Sequence, residues 1–372
     1  MRAYLLVAVI SAIVTWAATW VVLRLAHKYK IYPQIRARDV HTKPTPRLGG
    51  VAMFLGFVVS LCVAAAFNWF HSVFEDPSHI IAIGIAAFLI TAIGFFDDLY
   101  DLDWTIKLGG QLLGAGILAW QGVQIVSLPI AGLTVGSFGI SLAVTVFLTV
   151  LVMNAVNFID GLDGLVSGVV LIGTAAFFLY CYLLAQQTSP GNYFNLAGLL
   201  SAVVMGMCVG FLPHNWRPAK IFMGDSGAML LGLLMATSAL TVTGQIDPHT
   251  AGQDDLIPAF LPLIVPVAIL LLPVLDLALA VVRRLRAGKS PFSADRKHLH
   301  HRLQDLGHSH VGSVVVFYVW TALISVACLL FFFWTWPWIL LFLVVGAGLA
   351  SVYTLWPLIA KRQALANRKA AK

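Results

Sequence analysis

Apolar residues arrive in this sequence in long uninterrupted runs, and runs of that length have one natural solvent. Crossing a hydrocarbon layer of roughly 30 Å takes a helix of about 20 mostly apolar residues. Such runs begin near Tyr4, Gly49, His79, Lys107, Phe138, Leu165, Leu196, Gly227, Ile257, Val311 and Pro337. Backbone polar groups inside lipid must bond within their own segment, which leaves helices as the solution for runs of this kind. The chain therefore reads as an all-α polytopic membrane protein with about eleven transmembrane helices. Only 10% of its residues are charged, against about 25% in a soluble domain. No hydrophilic stretch is long enough for a soluble domain, so residues 1–372 read as a single integral membrane domain. The first run, Tyr4 to Leu25, is too long for a signal-peptide core and reads as a retained helix. Cys62, Cys181, Cys208 and Cys328 lie singly in apolar runs and imply neither a disulfide nor a zinc framework. The segment 123–137, β-branched and punctuated by glycine, reads as a small hairpin on the outer face.

Orientation follows from the basic residues. Seven fall between the first two runs, seven flank the loop between the ninth and tenth, and five end the chain. With Lys107, Arg217 and Lys220 they place 22 of the 23 lysines and arginines on one face, leaving Arg2 alone on the other. The positive-inside rule puts that face in the cytoplasm, with the N-terminus outside and the C-terminus cytoplasmic. The opposite loops carry acids instead: Glu75, Asp76, Asp247, Asp254 and Asp255. A net charge of +7 would suggest nucleic acid in a soluble protein; distributed this way, it reports topology, and no nucleic-acid partner is expected.

Every polar cluster then falls on the cytoplasmic side. In NAVNFIDGLDGL, Asn154, Asn157, Asp160 and Asp163 follow the fifth run at intervals of three. On an unbroken helix each such step drifts about 60°, so Asn154 and Asp163 would face opposite ways. Gly161 and Gly164 supply a break that would turn the chain and gather the four groups. Carboxylates near lipid are costly and mark function. In DDLYDLD, Asp97, Asp98 and Asp101 crowd about one turn against an apolar run. Carboxylates so close repel unless a cation or shared proton relieves them, and magnesium is the usual cation for hard oxygen ligands. GDSGA places Asp225 between Gly224 and Gly227 before a helix. That suits phosphate at a helix N-terminus, and it equally suits a simple cap.

His298, His300 and His301 stand among Arg296, Lys297 and Arg302, a set of donors that fits phosphate oxygens better than zinc. Phe222 is placed either to stack on a base or to anchor at the interface. His214 reads as structural, and Asp276, behind Pro273, as a weaker intramembrane candidate.

Taken in order, DDLYD, NAVNFIDGLDG, PAKIFMGDSG and HLHH resemble the polyprenyl-phosphate N-acetylhexosamine-1-phosphate transferase family over nearly the whole chain. Leu299 within the histidine motif is similar to the bacterial branch that uses UDP-N-acetylglucosamine; the muramoyl-pentapeptide branch carries three consecutive histidines. The resemblance implies transfer of N-acetylglucosamine 1-phosphate from UDP-N-acetylglucosamine to undecaprenyl or decaprenyl phosphate in the bacterial cytoplasmic membrane, releasing UMP and initiating a lipid-linked envelope glycan. It implies magnesium, with manganese as a substitute, on Asp225 and Asn157. Asp97 and Asp98 would face the lipid phosphate, and one of them would serve as any base. Asp163, Asn215, Phe222 and Lys43 would hold the nucleotide. Asp160, His298, His300 and His301 would lie at the sugar-phosphate end. The partners implied are the two substrates, the membrane and, for a self-associating chain, a second copy in a homodimer. The alternative within the family is the phospho-N-acetylmuramoyl-pentapeptide transferase. The alternative from another class is an ion or solute transporter, whose acids would normally sit near the midplane between repeats.

The charge division makes a direct prediction. A cysteine introduced at Ala366 should react with an impermeant maleimide only after the membrane is opened, whereas one at Ser78 should react in intact cells. The reverse pattern would invert the topology.

Overall fold

The computed structural model describes residues 1–32, 45–125, 137–188, 194–243, 271–286, 288 and 299–370. Among the described residues every regular element is helical. They are α1 (Arg2–Tyr29), α2 (Gly49–Ala65), α3 (His71–Phe74), α4 (Ser78–Tyr100), α5 (Trp104–Trp120), α6 (Phe138–Phe158), α7 (Leu165–Thr188), α8 (Leu196–Asn215), α9 (Gly224–Thr243), α10 (Leu271–Arg286), α11 (Leu299–Asp305), α12 (His310–Leu330) and α13 (Trp336–Ala370), with a 3-10 turn at Asn68–Phe70. Ten of the eleven apolar runs begin within three residues of a helix start. The run from Ile257 and the expected hairpin of 123–137 lie mostly outside the described residues.

Among the described residues eight helices are long and apolar enough to cross a membrane, or up to nine if α2 and the segment 68–74, bent by 91°, form one span. The expected count of eleven is larger than this. α5 has 17 residues, about 26 Å of helix, short of the hydrocarbon thickness. Of the run from Ile257, the described residues take in the 16 of α10.

Two helices make the centre. α8 packs against α1, α2 and α7, while α9 packs against α4, α6, α2 and α8. Of the apolar stretch of α9, 83% is buried; of that of α13, which packs along α12, only 11%. The composition explains the difference. α13 shows large apolar side chains such as Trp338, Leu349 and Trp356 outward. α9 buries Thr237 and Ser238, whose hydroxyls donate to the Leu233 and Leu234 carbonyls and so need no other partner.

Between helices in lipid there is little hydrophobic drive, so close approach must supply the attraction. α8 meets α1 through Gly206 and Gly210, where an added Cβ would land on the carbonyl oxygens of Ala8 and Ala12. Ser11 closes the same seam by donating to the Val203 carbonyl at 2.8 Å. Gly210→Ala should therefore destabilise the protein by about 1–3 kcal/mol through overpacking. Gly84→Ala, where nothing lies within 4 Å, should be neutral. Thermal unfolding in detergent compares the two; equal effects would count against backbone contact as the basis of the α1–α8 seam.

Candidate active site

Chain reversals gather the ends of α4, α6 and α8 and the starts of α2, α5, α7, α9 and α12 at one end of the bundle. At its centre is the first turn of α9, whose backbone N–H groups lack intrahelical acceptors. Asp98, in the last turn of α4, supplies them. Its carboxylate accepts from the Asp225 amide at 2.9 Å, the Ser226 amide at 3.2 Å and the Ser226 hydroxyl at 2.9 Å. The cap of α9 thus comes from another helix, and Asp225 lies inside the first turn of α9. Gly224 at φ 71 makes the entry, and a Cβ there would strike the Asp98 carboxylate.

Asp97 does something different. Its Oδ1 accepts from the Leu102 amide at 2.8 Å, and its Oδ2 from the Lys107 ammonium at 3.1 Å. Lys107 also donates to Asp225 Oδ2 at 3.2 Å. The Asp97 and Asp225 carboxyls adjoin, and the Asn157 amide reaches Asp225. Asp97 is buried, at 6% exposure, whereas the side chains of Lys107 and Asp225 are 28% and 30% exposed. The reactive part of the group therefore opens outward while its base is sealed.

The four groups of the Asn154–Asp163 stretch do not meet at one point. α6 continues through Phe158, so Asn154 stays on the helix and is drawn elsewhere. Its amide donates to Gln111 Oε1 at 2.6 Å, and Gln111 donates to Met229 Sδ at 3.1 Å, locking α5, α6 and α9 together. Asn157 turns to Asp225. Asp160 follows in the turn, half-buried, with its carboxyl raised to about 7. Burial is the main cause; the Asp225 and Asp163 charges add to it, and Arg47 opposes it.

Asp163 and Asn215 build a second cluster. Asp163 Oδ2 accepts from the Ala219 amide at 3.2 Å, and the Asp163 amide donates to His310 Nε2 at 3.2 Å. Asn215 Oδ1 accepts from the Gly164 amide and the Ser167 hydroxyl, both at 3.1 Å, and its Nδ2 donates to the Ile221 carbonyl at 3.0 Å. Both side chains are buried. They fix the loop 216–223 against the start of α7. Phe222 is half-buried on that loop, its amide donating to the Pro46 carbonyl at 2.8 Å and its carbonyl accepting from the Gly49 amide at 3.0 Å.

The histidine motif is only partly within view. Lys43 and His298 lie outside the described residues, and of His300 the backbone alone is described, within α11. His301 is half-buried on α11. Asp276 Oδ1 accepts from the Leu299 amide at 3.0 Å, so this buried carboxylate holds the first described residue of the histidine helix. Nearby, the Arg284 guanidinium of α10 lies 5.3 Å over the Phe158 ring.

Sequence reasoning passed over Lys107, Gln111, Arg47 and His310. Lys107 carried a signal: an isolated lysine opening an apolar run, close after an acidic cluster. The partners of Gln111 and His310 lie 43 and 147 residues away, and nothing local marks them.

Among the described residues no three His, Cys, Asp or Glu side chains converge as a ready-made metal cage. Magnesium does not require one, since it binds through one or two carboxylates while phosphate and water complete its shell. Asp97 and Asp225, two adjoining carboxylates with the Asn157 amide beside them and a cation already bridging them, make a donor set that fits it.

Comparison with known proteins places the chain among relatives. The family model described as glycosyl transferase family 4 matches residues 80–243. The chain is 40% identical to the decaprenyl-phosphate N-acetylglucosaminephosphotransferase of Mycobacterium leprae, over 87% of this chain and 83% of that protein. It is 32% identical to a probable undecaprenyl-phosphate N-acetylglucosaminyl 1-phosphate transferase of Bacillus subtilis, over 86% and 83%. It is 34% identical to the phospho-N-acetylmuramoyl-pentapeptide-transferase of Mycobacterium bovis, over 66% and 78%.

The two acidic positions in contact with the α9 start should separate on mutation. Asp98→Ala strands three buried donors and should cost about 1–3 kcal/mol or more. Asp225→Asn removes a like charge beside Asp97 together with one partner of Lys107, opposing effects that should leave stability less changed than Asp98→Ala does. Denaturation of both variants in detergent measures this; equal destabilisation would refute the division of labour.

Proposed function

This chain belongs to the polyprenyl-phosphate N-acetylhexosamine-1-phosphate transferases of glycosyl transferase family 4, and from that premise we propose that it transfers N-acetylglucosamine 1-phosphate from UDP-N-acetylglucosamine to a polyprenyl phosphate, releasing UMP. The observation that carries the reading is the Asp97–Lys107–Asp225 group on the Asp98-capped start of α9. We place this end of the bundle at the cytoplasmic surface of a bundle of about eleven spans, N-terminus outside. The division of 22 basic residues against one supports that orientation. There a soluble anionic donor meets a phosphate whose tail stays in lipid.

Asp225 and Asn157 would hold magnesium, or manganese in its place. The bound ion would neutralise charge on the donor pyrophosphate and on the departing UMP. Lys107, already poised between two carboxylates, would turn its remaining donors to phosphate oxygens. Asp97 would face the acceptor phosphate and is better placed than Asp98 to take a proton, because both Asp98 oxygens are committed to α9, whereas one Asp97 oxygen is held by the Lys107 side chain, whose flexible stem lets it exchange partners. The second pKa of a phosphate monoester lies near neutrality, so the dianion can also attack unaided (compare). Asn215 and Asp163 would hold the loop that offers Phe222 to the uracil ring. Asp160 and the histidines of α11 would lie toward the sugar phosphate. Positioning and electrostatics would carry most of the rate, as in phosphoryl transfer generally.

Two observations favour the N-acetylglucosamine donor over a muramoyl-pentapeptide donor. Similarity to the first group of relatives runs over 87% of the chain, against 66% for the second. Leu299 also interrupts the histidine motif. A transporter is disfavoured because the acids cluster where helices end.

The test uses purified protein, polyprenyl phosphate and radiolabelled UDP-N-acetylglucosamine. Label should enter butanol-extractable lipid, and Asp225→Asn should reduce the rate by about 10²-fold or more, the scale of a lost transition-state stabiliser. The pentapeptide donor at equal concentration should release no UMP. Absence of lipid label would sink the reading, and equal UMP release from both donors would sink the donor assignment alone.

A further inference from the structure

Of the histidine helix α11, residues Leu299–Asp305 are described. Asp276 holds Leu299 by accepting from its amide, and Leu303 is buried. The far end of the helix closes in a pair of backbone hydrogen bonds. The His308 amide donates to the Leu303 carbonyl at 3.1 Å and the Gly307 amide to the Gln304 carbonyl at 2.9 Å. Gly307 takes φ 108, the left-handed position that ends such a helix.

His308, the residue just past that turn, then reaches across to the last long helix. Its Nε2 lies 2.8 Å from the Thr354 carbonyl of α13. A carbonyl only accepts, so the imidazole is the donor. The ring also packs on Tyr353, with centroids 6.0 Å apart. Thr354 is held in turn: its hydroxyl donates to the Ala350 carbonyl at 2.7 Å and accepts from Trp320 Nε1 at 3.2 Å. Gly307 abuts Pro357, where an added Cβ would lie 3.3 Å from the proline Cβ. From the same turn the chain runs through Ser309, which caps α12 by accepting from the Gly312 amide, to His310, which accepts from the Asp163 amide. Two histidines either side of one serine thus join the last helix to the histidine helix and to the Asp163 turn.

We propose that His308 is a positioning residue for the transfer reaction, lashing to α13 the helix α11 that carries His301. This rests on the function proposed above. It gives α13 a task that its lipid-facing surface does not suggest: the helix is a fixed post, and its Thr354 carbonyl is the point of attachment.

The experiment compares wild type, His308→Ala and His308→Gln as purified full-length proteins. The Gln side chain keeps an N–H donor. His308→Ala should lower kcat about 10-fold, with KM for either substrate changed less than about 2-fold and the unfolding midpoint shifted by only a few degrees. His308→Gln should recover kcat to within about 3-fold of wild type. Hydrogen exchange should show faster exchange of the Leu303–His308 amides in His308→Ala and no change across Asp97–Lys107. Unchanged kcat, an effect confined to KM, an equal loss in His308→Gln, or faster exchange throughout the bundle would each overturn the proposal. The exchange measurement needs no substrate. A wild-type protein without transfer activity would therefore fail the functional reading while the lashing was still tested.

Discussion

The Asp98 carboxylate is the hinge pin of this architecture. A carboxylate at a helix N-terminus interacts favourably with the positive end of the helix dipole, and charge-assisted hydrogen bonds are about twice as strong as neutral ones. Here the arrangement is buried, so the alternative is not solvation by water but three orphaned donors. That fixes the start of α9 against the end of α4, and α9 is the most enclosed of the candidate spans among the described residues. Glycine permits the approach: Cβ atoms on Gly50 and Gly94 would collide with the Ser226 backbone or with its neighbour Gly227. Once α4 and α9 are locked in this register, Asp97 and Asp225 must adjoin. Lys107, reaching in from α5, becomes the answer to their repulsion.

Much of the fold was legible because lipid imposes long apolar runs on the sequence. Helix starts such as Phe138, Leu165 and Leu196 coincide with run starts. Span counting was less secure at α5, whose lysine and short length put it at the margin of a crossing helix. The site was legible as a set of motifs, not as a set of contacts. Asp97 and Asp98 read as an equivalent pair, yet adjacent residues on a helix point about 100° apart, and one faces α9 while the other faces Lys107. The Asn154–Asp163 stretch read as a converging foursome because Gly161 and Gly164 would break the helix. The chain does turn there, after Phe158 and with Gly164 at φ 76, but Asn154 lies upstream of the break and remains bound to Gln111. The roles of His308 and His310 depend on partners in other helices, which no local pattern announces.

The division within the acidic pair bears on the chemistry. Two carboxylates with identical neighbours would share a burden of charge and proton. Here environment separates them: one is saturated with donors, and the other keeps an oxygen on a mobile ammonium. A lysine is suited to that place, since its ammonium is a compact charge on a flexible stem and can exchange partners. A guanidinium would commit itself to planar, paired contacts.

Charge balance gives the last constraint. Asp97, Asp98, Asp160, Asp163 and Asp225 gather at one end of the bundle, with Lys107 and Arg47 as the cations placed among them. On the proposed function, a pyrophosphate and a lipid phosphate must enter this already acidic region. Unscreened, such like charges would repel by several kcal/mol in a partly desolvated site. Relief has to arrive with the substrates or be held beside them. A divalent ion carried on the pyrophosphate supplies the first kind, and the basic residues flanking the histidine motif supply the second. Burial also raises the Asp160 carboxyl, which favours its neutral form in this region. On the proposed function the acidic cluster and the histidine helix serve the same anions, and the bonds from Asp276 and His308 that hold α11 then bear on how its His301 meets them.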